Sequence, residues 1–327
     1  MIRLHLPDRT LTCSPNESVL ETLLREGVEI SYSCQQGACQ SCMIQATNVT
    51  AVPHEAQKGL KDTLQNQGYF LACQCYPTQD LTLKLLHHED FYTNGRIITK
   101  TPLNAETLLL RIACDDEMDY FAGQFVNLRR DSDGLTRSYS IANTEWHARE
   151  LEFHIRRLPG GRFTGWVHDE LNIGDSVGVS APQGACYYLP GRPEQNLLLV
   201  GTGSGLAPLA GILMDALRQN HRGLIHLFHG SRERDGLYWI DEMRALTEQY
   251  PNFRYTPCLS RSTTSESFAM GRANEVACAT YPDMKGWRLY LCGHPDMVAQ
   301  MKRQAFLQGV SLADIYADAF HIASSAR

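Results

Sequence analysis

Cys34, Cys39 and Cys42 stand in the run Cys-Gln-Gln-Gly-Ala-Cys-Gln-Ser-Cys, a C-x4-C-x2-C spacing, and a fourth candidate, Cys73, follows after 30 intervening residues. Thiolates spaced in this way can converge from one tight loop on the two irons of a [2Fe–2S] cluster while backbone N–H groups turn toward the sulfurs. Gly37 and Ala38 keep side-chain bulk out of that turn. Two other readings compete: a zinc site, and a group of inert, reduced core cysteines. Zinc is usually gripped by paired C-x2-C knuckles, of which the chain has one. Inert thiols would have no need of the spacing.

Three further stretches have residue types suited to redox cofactors. Arg137-Ser138-Tyr139-Ser140-Ile141-Ala142-Asn143 combines a cation for a phosphate, an aromatic face for an isoalloxazine and a hydroxyl for its reactive edge. An ordinary barrel strand could hold the same order of residues. Pro159-Gly160-Gly161-Arg162-Phe163-Thr164 precedes an apparent helix, with Thr164 as the expected N-cap, and offers unpaired N–H groups to a diphosphate. A plain strand–turn–helix junction is the alternative. Gly201-Thr202-Gly203-Ser204-Gly205 follows the apolar run Asn196–Val200 and precedes a helix through about Gln219, the context in which a glycine loop approaches a pyrophosphate. Cys292 and Gly293 lie in Leu291-Cys292-Gly293-His294-Pro295, and Cys292 taken alone reads as a core thiol.

The elements that must position these groups are legible in outline. Ser14-Pro15-Asn16-Glu17 predicts a capping box, with Val19, Leu20, Leu23 and Leu24 on one helix face and Gly27 ending it. A strand near Glu29–Tyr32 is expected to lead into the cysteine loop, and others follow at Cys42–Ala46, Tyr69–Cys73 and Leu81–Leu86. The pair His87-His88 reads as solvated linker. Short β-rich runs at Gly95–Ile98, Thr107–Ile112, Gln124–Leu128 and Glu152–Arg157 suggest a small barrel. From Asn196 onward strands alternate with helices, the mark of a doubly wound parallel sheet. No acidic ribose-binding residue follows strand Leu224–Phe228; Ser231 and Arg232 could instead hold a 2′-phosphate.

The chain has 327 residues, 43% of them hydrophobic and 20% charged, which suits two or three soluble domains. Residues 1–90 carry six Lys/Arg against ten Asp/Glu, a net of −4, and the remainder carries −2. There is no basic stripe for nucleic acid, no apolar run of membrane-spanning length and no signal-peptide core. Eleven cysteines in no disulfide-like framework suit a reducing compartment, so a cytoplasmic protein is expected.

Residues 1–90 resemble a plant-type ferredoxin domain, and Leu71-Ala72-Cys73-Gln74-Cys75-Tyr76-Pro77 is similar to that family's fourth-ligand segment. The resemblance implies Cys34, Cys39, Cys42 and Cys73 as ligands, with Cys75 a neighbour; Gln40 stands where a smaller residue is usual. Residues 95–190 resemble the FAD domain of the ferredoxin–NADP reductase superfamily. That implies Arg137, Tyr139, Ser140, His154, Ile155, Arg156, Gly160, Gly161 and Thr164 as FAD contacts, while Cys186 stands where a larger aromatic residue is common. Residues 191–327 resemble its nucleotide domain, implying Gly201, Thr202, Gly203, Gly205, Ser231, Arg232, Cys292 and Gly293 for the coenzyme.

In this order the three modules resemble the reductase components of bacterial aromatic-ring-hydroxylating dioxygenases, most closely in the ending Ile315-Tyr316-Ala317-Asp318-Ala319-Phe320. Seven residues follow Phe320, so an aromatic gate at that position is not carried over. The expected architecture is multidomain α+β and α/β: a ferredoxin-like β-grasp, an antiparallel FAD-binding barrel and a doubly wound NAD domain. The expected function is NADH-dependent electron transfer, with NADPH possible, through FAD and a [2Fe–2S] cluster to a terminal oxygenase or a separate ferredoxin. Ser140, Tyr139 and Cys292 are expected at the reacting centre, and a monomer is expected. Two readings compete: a reductase ending on a small molecule, as in deoxysugar biosynthesis, and a non-catalytic redox sensor.

Overall fold

The structure, a computed structural model, describes residues 2–28, 30–60, 62–85, 92–144, 150–261 and 267–321. The chain opens with a hairpin, β1 (Ile2–His5) and β2 (Thr10–Cys13), in which Leu4 faces Leu11 and both point into the core. Helix α1 (Val19–Arg25) begins four residues later than the sequence suggests: Ser18 is its N-cap, and Ser18 and Glu21 form the capping box. The reason is local. Glu17 N–H bonds Ser14 O, its carboxylate accepts from Ser14 N–H, and it also pairs with Arg25, so Ser14–Glu17 closes as a turn. Gly27 ends the helix at φ +67° as expected.

Strand β3 (Met43–Ala46), short helix α2 (Asp62–Asn66), β4 (Tyr69–Leu71) and β5 (Leu81–Lys84) complete a five-stranded mixed sheet. Its order is β2-β1-β5-β3-β4, with β1 and β5 parallel, and this is the β-grasp arrangement. The strand expected near Glu29–Tyr32 is absent over Ile30–Tyr32, and Glu29 lies outside the described residues. Polar groups of Ser31 and Tyr32 face the neighbouring barrel instead of a ladder partner. His87 and His88 also lie outside the described residues.

The second sheet contains β6 (Tyr92–Pro102), β7 (Thr107–Cys114), β8 (Phe125–Arg129), β9 (Thr136–Ser140), β10 (Glu150–Arg156) and β11 (Ser176–Ser180), with helix α3 (Arg162–Asp169) before the last strand. Its order, β10-β7-β6-β11-β8-β9, is antiparallel throughout. The two ends meet where Ala142 N–H donates to Glu152 O at 2.8 Å. Alternate residues such as Leu110, Ile112, Val126, Leu128, Phe153 and Ile155 fill the interior.

The third sheet is wholly parallel. Its elements are β12 (Leu197–Thr202), α4 (Leu206–Arg218), β13 (Ile225–Ser231), α5 (Ile240–Gln249), β14 (Phe253–Leu259), β15 (Ala269–Met270), α6 (Ala273–Thr280), β16 (Arg288–Gly293), α7 (Pro295–Leu307) and β17 (Ile315–Ala319). The order β15-β14-β13-β12-β16-β17 reverses direction between β12 and β16, and a crevice at such a switch point is where open α/β sheets bind ligands. Leu197–Val200 are all buried, which is why this stretch of sequence reads as unbroken apolar residues. Among the described residues no helix is long and apolar enough to cross a membrane.

Two histidines make this domain acid-sensitive. Burial pushes both His226 and His229 down to about 4. Between about 4 and 6.5 the fold holds them neutral while the unfolded chain would protonate them, so stability is lost as pH falls from the ordinary value of about 6.5 toward 4. By pH 5 each is expected to remove about 2 kcal/mol. The thermal midpoint read by tryptophan fluorescence should fall between pH 7 and pH 5, and His226→Gln should lessen that fall; a midpoint flat over this range would refute the assignment.

Candidate functional site

The cysteine loop lies between β-grasp and barrel, and its four expected thiols occur as two contacting pairs. Cys34 and Cys39 hydrogen-bond each other, with Cys39 N–H 3.3 Å from Cys34 Sγ and Cys34 N–H 3.4 Å from Cys39 Sγ. Cys42 and Cys73 form the second pair. In each pair one thiol is lowered by its partner, Cys39 to about 5 and Cys73 to about 7, while Cys34 and Cys42 are raised. Two thiols sharing one proton are a donor set that a metal can take over by displacing it. Two pairs suit two irons with two thiolates each. No three His, Cys, Asp or Glu side chains among the described residues gather round one point, as a single tetrahedral ion would need. Cys75, by contrast, is buried beside Cys13, and burial pushes it up to about 12.

Strand β9 carries the flavin candidates. Its side chains alternate, so Thr136, Ser138 and Ser140 share one face and Arg137 and Tyr139 the other. Tyr139 packs on Phe163 of α3 with ring centroids 5.6 Å apart, and burial pushes its hydroxyl up. Arg137 donates to Thr136 O and lies near Tyr32, without a carboxylate partner among the described residues. The N-cap of α3 is Gly161, not Thr164; the Thr164 hydroxyl, in the first turn, accepts from Leu158 N–H and donates to Gly161 O. No side chain caps this helix start, and a Cβ on Gly160 would meet open space. A guanidinium with no carboxylate partner among the described residues and a helix start that no side chain caps fit a phosphate-bearing cofactor.

On β10, the structure turns His154 toward the nucleotide domain, with Nδ1 3.0 Å from Tyr238 Oη and its ring edge-on to Trp239. Ile155 is in the barrel core. Arg156 pairs with Glu106 at 2.7 Å and reaches the Gly203 turn.

The glycine loop lies at the sheet's switch point. Gly201 pairs in register with Cys292, and a Cβ on Gly205 would come within 2.4 Å of Cys292 O. Gly293 has φ +116°, and a Cβ there would strike Thr202. Thr202 Oγ1 accepts from His294 N–H at 3.0 Å. Only residues without side chains allow the two strands this approach. Ser231 ends β13, and Arg232 beyond it is exposed.

Tertiary structure adds residues that sequence reasoning missed. Asp318 on β17 accepts from Ser140 Oγ at 2.7 Å and lies against Cys292. The Sγ of Cys186 is 3.8 Å from that of Cys292, so the small residue at this aromatic position leaves room for a second thiol. Burial is the first cause that raises Cys292, making it a poor nucleophile. Gln36 of the cysteine loop meets His321 just after β17. A separate cleft of about 600 Å³, lined by Thr99, Arg111, Trp239 and Glu242 among others, includes none of the sequence-predicted site residues.

Three family profiles match in succession: a 2Fe-2S iron-sulfur cluster binding domain over residues 4–78, an oxidoreductase FAD-binding domain over 94–188 and an oxidoreductase NAD-binding domain over 199–303. The chain is 34% identical over 304 residues to the reductase subunit of an aromatic O-demethylase from Amycolatopsis, covering 89% of this chain and 90% of that one. It is 31% identical over 320 residues to the ferredoxin–NAD(P)(+) reductase component of a naphthalene 1,2-dioxygenase system from Pseudomonas putida, covering 96% of each. Among solved structures, an Amycolatopsis cytochrome P450 reductase superposes with a TM-score of 0.70 at 29% identity, covering 98% of this chain and 99% of that one. The ferredoxin reductase of carbazole 1,9a-dioxygenase gives 0.68 at 25%, covering 98% of each.

The Asp318 carboxyl is raised by desolvation, against the pull of the Ser140 hydroxyl. It therefore ionises through a window that opens at the ordinary value of about 3.9 and extends upward. Asp318→Asn is expected to retain FAD but flatten the pH profile of flavin reduction by NADH across that window, followed by anaerobic stopped flow. An unchanged acid limb would exclude Asp318 as its source.

Proposed function

The chain belongs to the family of iron–sulfur flavoprotein reductases that supply electrons to aromatic oxygenases, and on that premise we propose how its residues divide the work. It is an NAD(P)H-dependent oxidoreductase with FAD and a [2Fe–2S] cluster, which passes electrons to a ferredoxin or oxygenase partner. When bound, flavin takes two electrons as a hydride and releases them singly, the conversion a one-electron cluster requires.

In our reading Cys34 with Cys39 holds one iron and Cys42 with Cys73 the other. Arg137 and the start of α3 at Gly160–Gly161 bind the FAD diphosphate, and Tyr139 supports the ring. The observation that carries the reading is the convergence on Ser140: its hydroxyl is bound to Asp318, which touches Cys292, on the same strand face whose other end meets the cysteine loop. Ser140 thus orients the reactive edge, and Cys292 with Gly293 packs the nicotinamide against it. Gly201, Thr202, Gly203 and Gly205 cradle the coenzyme pyrophosphate. Ser231 and the exposed Arg232 would accept a 2′-phosphate, and the named ferredoxin–NAD(P)(+) reductase components are described for either coenzyme; on the resemblance to dioxygenase reductases we place NADH first. The named relatives serve both a dioxygenase system and an O-demethylase, so the acceptor is proposed as the terminal oxygenase of an aromatic-hydroxylating system or its ferredoxin. We assign the chain to the cytoplasm on its eleven cysteines in no disulfide-like framework, and propose that it acts as a monomer.

Anaerobic titration should bleach flavin bands and an iron–sulfur shoulder at lower NADH than NADPH. Cys39→Ser should abolish cytochrome c reduction while sparing ferricyanide reduction by the flavin; loss of both in a folded, FAD-loaded protein would reject this electron route. Gly205→Ala, whose Cβ meets backbone at Cys292, should raise the KM for NADH about tenfold or more without changing FAD or iron content. An unaltered KM would move the coenzyme away from this loop.

A further inference from the structure

Asn127 lies on β8 directly opposite Ser138 of β9 and is 2% exposed. Both side-chain polar groups and the backbone N–H are engaged. The side-chain Nδ2 donates to Cys39 O at 3.0 Å, Oδ1 accepts from Ser138 Oγ at 2.7 Å, and the backbone N–H donates to Ser180 Oγ at 2.9 Å. A buried amide bound in this way has one orientation, because turning it would set its oxygen against the Cys39 carbonyl, acceptor against acceptor. Its Nδ2 therefore serves as a fixed peg from the barrel into the cysteine loop, across 88 residues of sequence.

Three further barrel-to-loop contacts are looser: Thr136 with Ser31, Ser138 with Ser33 and Arg137 with Tyr32 O each span 3.4 Å. The exposed Gln36–His321 contact ties the loop to the nucleotide domain instead. The Asn127 bond is shorter than those three and buried, and it grips the carbonyl of a cluster-ligand candidate. It also lies one strand pair from the reacting edge. Ser138, which orients the amide, precedes Ser140 by two residues on the same face of β9, a rise of about 7 Å. A shift of the peg would move the Cys39 backbone, and with it the thiolate, relative to β9.

We propose that Asn127 is the positioning residue that holds the cysteine loop against the flavin strand and thereby sets the electron step from flavin to cluster. This rests on the cofactor assignment above. Asn127 has no part in hydride transfer, since none of its contacts reaches Asp318, Cys292 or the glycine loop. It acts through Cys39.

The test uses the purified full-length holoprotein. Asn127→Asp keeps size and the Ser138 bond but sets a carboxylate oxygen against the Cys39 carbonyl; Ser138→Ala removes the hydroxyl that orients the amide together with its contact to Ser33, and Ser33→Ala, which removes that contact alone, is its control. Anaerobic stopped flow after mixing with NADH separates flavin bleaching from cluster reduction, and amide hydrogen exchange reports on residues 34–42. In Asn127→Asp, flavin bleaching should keep its wild-type rate while cluster reduction slows about tenfold or more, with iron content retained and faster exchange in the loop. Ser138→Ala should move both readouts the same way by less.

Cluster reduction and loop exchange at wild-type values in Asn127→Asp would overturn the assignment. If Asn127→Asp loses its iron, Ser138→Ala decides against Ser33→Ala: slower cluster reduction and faster loop exchange than in Ser33→Ala support the peg, and values equal to those of Ser33→Ala overturn it. A wild-type protein with no separate cluster phase would overturn the electron route itself and this assignment with it.

Discussion

The alternation of side chains along β9 is the constraint on which the rest of the site depends. A strand sends successive residues to opposite faces, so five residues serve two surfaces without a loop between them. Tyr139 packs on α3, and Arg137 on the same face reaches Thr136 O and Tyr32. Thr136, Ser138 and Ser140 face the cysteine loop and β17. One short strand thereby registers three domains, on the same two-residue period that sorts the barrel's core residues inward.

The nucleotide domain depends on a second close approach. Parallel strands β12 and β16 diverge into connections on opposite faces, which opens a crevice at their carboxyl ends. Glycines at 205 and 293 let the two strand ends come together there, and Cys292 is carried to the crevice with them. Strand β17 then pairs beside β16 and delivers Asp318 to Ser140. The polar groups that meet between domains are mostly uncharged hydroxyls and amides, which costs less desolvation than buried ion pairs would.

Motifs whose chemistry resides in the backbone turn itself were readable from the chain. The C-x4-C-x2-C loop, the glycine loop after an apolar strand and the parallel alternation after Asn196 all appear where the sequence places them. Errors came where a local signal had two equivalent sites. Ser14 and Ser18 are both followed three residues later by glutamate, and the competing turn and the Arg25 pair decided for Ser18. Thr164 looked like an N-cap because threonine often is one, but Gly161 takes that place and the threonine hydroxyl ties the turn from inside. Ile30–Tyr32 has strand-forming residues, yet no ladder partner lies beside it and its polar groups turn to the barrel.

The sequence by itself determined the module order, the cofactor chemistry and the ligand spacing, because these depend on residues close together in the chain. Only the tertiary structure decided which distant groups meet. Asp318 is 178 residues from Ser140, Asn127 is 88 from Cys39 and Cys292 is 106 from Cys186. No local propensity encodes such meetings. They arise when three separate cores are packed so that one strand edge, one sheet switch point and one cysteine loop share a common boundary.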